Sequence, residues 1–130
     1  MTLLLLDTHL LIWGAENPDR LPRAARVRIE DARAAQAFSV ASIWEVAIKV
    51  ARGRGDFAVD AGALRGTLLR SAMREFAITG AHALEAGGLP PLHKDPFDRL
   101  LVAQARVERA VLLTADAALA QYGAPVELVG

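Results

Sequence analysis

The chain has 130 residues, 53% of them hydrophobic but only 5% aromatic, with no cysteine and 15 basic residues balanced by 15 acidic ones. That length holds one domain, expected to span residues 1–130, and is too short for two; the missing cysteines exclude a disulfide framework or a thiolate zinc site and fit a reducing cytoplasm, the expected location. A net charge of zero provides no global field to attract nucleic acid, so any such contact must use a local patch.

The chain opens with four consecutive leucines, Leu3 to Leu6, followed by Asp7, Thr8 and His9. The run lacks a basic flank and is interrupted far short of the ~18 residues of a membrane span, so it is expected to be neither leader nor anchor. It reads as a strand buried on both faces, although leucine has no β-branch and periodicity alone does not exclude a buried helix. Ligands in open α/β sheets sit beyond the carboxyl ends of the strands, which places Asp7 at the functional edge. A helix N-cap role suits Asp7 equally well.

Leu10, Leu11 and Trp13 predict a helix ending near Gly14, with a turn at Asn17-Pro18-Asp19. Leu21 to Ala37 reads as an amphipathic helix whose wet face carries Arg20, Arg23, Arg26, Arg28 and Arg33; a solvated face explains this cluster more simply than an RNA or acidic partner. Ala37 to Val40 is the expected second strand. Ser42-Ile43-Trp44-Glu45 has the spacing of a capping box and predicts a helix to about Arg52, closed by Gly53 and Gly55. A helix over 60–73, a third strand over 75–79, a short helix over 81–86 and a loop over 87–91 follow. Asp95-Pro96-Phe97-Asp98 is a strong helix start, and that helix is expected to reach Arg109. Val111 to Leu113 is the fourth strand, 115–122 a helix closed by Gly123, and 126–129 a last strand. Strands alternating with helices imply an α/β fold, a three-layer α/β/α sandwich on a mostly parallel sheet of about five strands.

Four acids then occupy comparable places: Asp7 after the first strand, Glu45 in the first turn after the second, Asp98 at a helix start and Asp116 just after the fourth strand. Capping and helix-dipole roles explain each alone. They do not explain why several belong to one edge of one sheet. Two carboxylates ~4 Å apart repel by ~4 kcal/mol at an effective dielectric near 20, so such a cluster takes up protons or a cation. Oxygen ligands alone favour Mg²⁺ or Mn²⁺, which keep waters and suit phosphate substrates. A cation-activated water then makes phosphodiester hydrolysis the natural chemistry. The histidines contribute less: His9 and His93 flank the site, and His82 reads as a surface or capping residue. Lys49, four places after Glu45, reads as a helix ion-pair partner, and Arg99 as a phosphate or carboxylate contact.

Leu-Asp-Thr-His at 6–9, Ser-x-x-Glu at 42–45 within SIWEVAIK, Leu-Pro-x-x-His-x-Asp-Pro-Phe-Asp-Arg at 89–99 and Leu-Thr-x-Asp at 113–116 together resemble a PIN domain, in the version found as the toxin ribonuclease of bacterial VapBC-type toxin–antitoxin pairs. The ordered set covers essentially the whole chain. The resemblance implies a sheet order of three-two-one-four-five and an acidic Mg²⁺ site of Asp7, Glu45, Asp98 and Asp116, with Mn²⁺ as a substitute. Thr114, Thr8 and Arg99 would be supporting residues, and Asp95 a cap with an outer role at most. It further implies RNA as substrate, products with 5′-phosphate and 3′-hydroxyl ends, a homodimer, and a cognate antitoxin covering the site. The apolar excess fits both interfaces.

Other classes fit less well. A PIN-like module that binds RNA or protein without cleaving has no need to retain a repulsive acid cluster. A haloacid-dehalogenase-like phosphatase wants a second Asp where this chain has His9, and a receiver domain wants an acceptor Asp where it has Thr79-Gly80.

Overall fold

Leucines 4 to 6 alternate between two cores, and this alternation sets the architecture. In the computed structural model, which describes residues 2–53 and 59–130, Leu4 and Leu6 pack into one apolar cluster and Leu5 into the other. Adjacent residues of a strand point to opposite faces, so β1 (Thr2–Leu6) lies between two helical layers. β4 (Val111–Thr114) repeats the pattern, with Leu113 on the first face and Leu112 on the second.

The sheet is completed by β2 (Ala34–Ser39), β3 (Arg74–Phe76) and β5 (Val126–Leu128), in the order β3-β2-β1-β4-β5 with every pairing parallel. The expected order and class are therefore met. Helices α1 (Thr8–Glu16), α2 (Arg23–Glu30), α3 (Val40–Ala51) and α4 (Ala61–Arg70) contribute to the core on the Leu4 face. On the Leu5 face lie α6 (Pro96–Glu108) and α7 (Ala117–Ala120), with α5 (Gly80–Gly88) packed on α6. β1 and β4 are adjacent, yet the chain leaves them in opposite directions across the sheet, to β2 and to β5. This is the switch point at which a crevice opens beyond the strand ends.

Several boundaries differ from the sequence reading, each for a local reason. The helix expected over 21–37 stops at Glu30, because Asp31 accepts from the Arg33 backbone and guanidinium and turns the chain into β2 three residues early. Ser39 rather than Ser42 is the N-cap of α3, its hydroxyl accepting from Ala41, so Ser42-x-x-Glu45 is not a capping box. The helix expected to 73 ends at Arg70, with Ala72 at a φ of 61° beyond it. Gly87 and Gly88, expected in a loop, end α5. Helix α3 closes before Gly53, which has a φ of 70°; Gly55 lies outside the described residues. His82 does form a capping box with Thr79, but it is buried against Glu108 rather than on the surface. In the arginine cluster, Arg26, Arg28 and Arg33 are paired with Asp19, Glu127 and Asp31.

Candidate active site

Three of the acids reach the carboxyl edge at helix starts, and Glu45 from the second turn of α3. Asp7 leaves β1 as the N-cap of α1: its Oδ1 accepts from the Leu10 N–H at 3.0 Å and its Oδ2 from the Thr114 hydroxyl at 2.5 Å. Thr114, the last residue of β4, also accepts from the Asp116 N–H at 3.0 Å, which links the two neighbouring strand ends. Asp116 caps α7 through Ala118. On α3, Glu45 is buried; Oε1 accepts from Thr8 at 2.7 Å and Oε2 pairs with Lys49 at 2.6 Å. A carboxylate only accepts, so the one Thr8 proton goes to Glu45, and Ser42, 2.9 Å away, is the donor of the Thr8–Ser42 pair. Asp98 stands in the first turn of α6, which Asp95 caps through the Phe97 and Asp98 N–H groups.

Asp7, Glu45, Asp98 and Asp116 line one cavity of about 270 Å³, together with Thr8, Lys49, His93 and Asp95. Another cavity of similar size, about 250 Å³, is bounded mainly by apolar residues of α1, α4 and the core and lacks acids; chemistry rather than volume separates the two. Burial raises two of these carboxyls. Burial, then Asp95 and Glu45, push the Asp98 carboxyl up to about 7, partly offset by His93. Burial also raises Asp7, against the lowering effect of its bonds from Thr114 and Leu10.

His93 sits between two of the acids, its Nε2 3.4 Å from Asp98 Oδ2 and 3.2 Å from Asp116 Oδ2. Ligand atoms of His93, Asp98 and Asp116 all lie within 4.8 Å of one another, a group able to hold a divalent ion. Its other nitrogen, Nδ1, accepts from the Asp95 N–H at 3.1 Å, which in the neutral ring puts the proton on Nε2, facing the carboxylates. The closest cluster is thus narrower than the four expected acids: Asp7 and Glu45 line the same cavity but are drawn back onto Thr114, Leu10, Thr8 and Lys49.

A PIN domain family model matches residues 4–125. The chain belongs to the PIN domain family. Comparison with curated proteins gives no match. Among solved structures, this PIN domain is similar to a chain of a toxin–antitoxin complex from Klebsiella pneumoniae, with 20% identity, a TM-score of 0.69 and 97% of each chain covered. It is similar also to chains of VapBC2 from Rickettsia felis bound to a promoter DNA fragment (14%, 0.68, 98% of this chain and 97% of that one) and of VapBC-1 from nontypeable Haemophilus influenzae (20%, 0.65, 98% and 96%). At these identities the likeness is one of fold.

The remaining expected residues fall as follows. Thr8 and Thr114 touch the acids directly. Arg99 does not face the acids: its guanidinium donates to the carbonyls of Ala86, Leu89, Pro90 and His93 and to the Tyr122 hydroxyl, pinning the loop that carries His93. Ser42 and His93 take closer parts than the sequence reading gave them. For His93 the available signal was its place two residues before the Asp95 cap, which lets Nδ1 reach that backbone N–H. For Ser42 it was helical spacing, since residues three apart on α3 present Ser42 and Glu45 to the same neighbour, Thr8.

Proposed function

We propose that this PIN domain is a divalent-metal-dependent endoribonuclease and the toxin of a toxin–antitoxin pair. The observation that carries the reading is the convergence of four carboxylates, from four different helices, in one cavity at the switch point of the sheet. The donor set fits Mg²⁺, with Mn²⁺ as a substitute: hard oxygens, two of them on the Asp98 and Asp116 carboxylates beside each other. Asp7 spends one lone pair of each oxygen on Leu10 and Thr114 and keeps another. Asp7, Asp98 and Asp116 would hold the cation, with Glu45 beside them; when bound, it lowers the pKa of water and offsets charge developing on the phosphoryl oxygens.

The chain's own residues hold that site in shape. Thr114 fixes the rotamer of Asp7, while Thr8 and Lys49 fix Glu45 and limit its charge. His93, with Nε2–H toward Asp98 and Asp116 and Nδ1 held by Asp95, acts as a hydrogen-bond donor between carboxylates rather than as a ligand. Arg99 supports that loop. The substrate is RNA, and the products carry 5′-phosphate and 3′-hydroxyl ends.

A cognate antitoxin is the expected protein partner, since several solved structures sharing the fold come from toxin–antitoxin complexes. A homodimer is supported by exposed large apolar side chains including Val27, Trp44 and Leu84. No helix among the described residues is long and apolar enough to cross a membrane; the cytoplasm is the proposed location. The experiment is incubation of antitoxin-free protein with a mixed pool of structured RNAs in Mg²⁺, in Mn²⁺ and in chelator, with end-group analysis. Metal-dependent cutting that leaves 5′-phosphates is expected. Metal-independent cutting with 2′,3′-cyclic ends would contradict the reading.

A further inference from the structure

A further cavity, of about 240 Å³, shares Asp7, His9 and Asp116 with the acid cavity and extends past them to Trp13. His9 and Trp13 lie one turn apart on α1, with ring centroids 5.7 Å apart and planes tilted by 46°. Arg20, closing the single turn Pro18–Arg20, sets its guanidinium carbon 5.1 Å from the centroid of the Trp13 ring. Trp13 also packs against the core, so its position is held.

The chemistry of this extension differs from that of the acid cavity. An acidic wall repels a phosphate backbone, so a strand brought to the acids needs an anchor that does not depend on phosphate charge at that wall. The His9 and Trp13 rings that line the extension provide one for an uncharged planar heterocycle. Single-stranded RNA is held in this way elsewhere, by unstacked bases laid on aromatic or arginine surfaces. We infer that His9 and Trp13, with Arg20 against the Trp13 ring, form a pocket for one unstacked nucleobase of the RNA strand, next to the acid cluster. This rests on the ribonuclease reading, since it says how that site retains its substrate.

The test is equilibrium binding of a short single-stranded oligoribonucleotide of mixed sequence, read by fluorescence anisotropy in Mg²⁺ on an Asp98→Asn background that blocks cleavage. Trp13→Ala is expected to weaken binding about fivefold or more, the loss of one base–aromatic stack. Trp13→Phe keeps most of the affinity, and His9→Ala, which leaves the core contacts of Trp13 in place, loses part of it. An abasic oligonucleotide of the same length should bind equally with and without Trp13. Unchanged affinity in both alanine variants, equal losses on the abasic probe, or no binding by the parent protein would overturn the inference. Cleavage by protein with Asp98 intact separates the two proposals. Cutting that Trp13→Ala leaves unchanged removes the pocket and not the nuclease; Trp13-dependent binding without any cutting removes the nuclease and not the pocket.

Discussion

Replacing Asp98 by Asn should stabilise the metal-free protein at alkaline pH while leaving its acid stability alone. The folded carboxyl titrates near 7 against an ordinary value of 3.8. A group that binds its proton more tightly when folded costs nothing below its unfolded pKa; the penalty grows as pH rises from about 4 to about 7 and is complete above. Roughly three pKa units at ~1.36 kcal/mol each give a ceiling of about 4 kcal/mol. With the side chain 19% exposed, solvent screening takes little from that figure. Asn also gives up a favourable charge at the start of α6 and the attraction of His93, about 1 kcal/mol together. A net gain of about 2–3 kcal/mol remains, or a rise of roughly 6–10 °C in Tm for a chain of this size. The assay is urea and thermal unfolding in chelator at about pH 4 and about pH 8, then with Mg²⁺ added. Mg²⁺ should raise the wild type more than the variant and narrow the gap. A variant equally affected at both pH values, or less stable than wild type at the higher one, would refute the claim that burial and the neighbouring acids hold the Asp98 carboxyl up.

Two further substitutions probe the supports. Thr114→Val removes the hydroxyl that donates to buried Asp7 and accepts from Asp116, and should cost ~1–3 kcal/mol in denaturant unfolding along with most of the activity; an unchanged midpoint would show that Asp7 finds another donor. Lys49→Met takes the cation from Glu45, which is almost wholly buried, and should destabilise by ~3–5 kcal/mol in denaturant unfolding at neutral pH. An unchanged midpoint would show that the ion pair does not hold Glu45 in place.

Much of this arrangement was legible because the chemistry sits where regular elements begin. Leu3 to Leu6 could be read as a two-sided strand, and the acid at its end is fixed by the strand's length. Asp95-Pro96-Phe97-Asp98 marked the start of α6 for the same reason, since cap and proline geometry are local. What depended on tertiary partners was harder to see. Ser42 looked like a cap because the spacing to Glu45 is right, but β2 begins and ends earlier than propensity indicates, which moved the helix start to Ser39. His93 belongs to no periodic segment, so its place beside the site could be read but not that its ring falls between Asp98 and Asp116. Arg99 was expected at an anion, yet the end of α5 and its loop turn four carbonyls toward its guanidinium.

The most direct measurement of the central claim is RNA cleavage by the wild type beside Asp7→Asn, an exchange of nearly equal volume at the residue that follows β1, with both proteins shown to be folded. The account predicts Mg²⁺-dependent cutting by the wild type that falls to background in the variant. Cutting that survives in Asp7→Asn at the wild-type rate would contradict it.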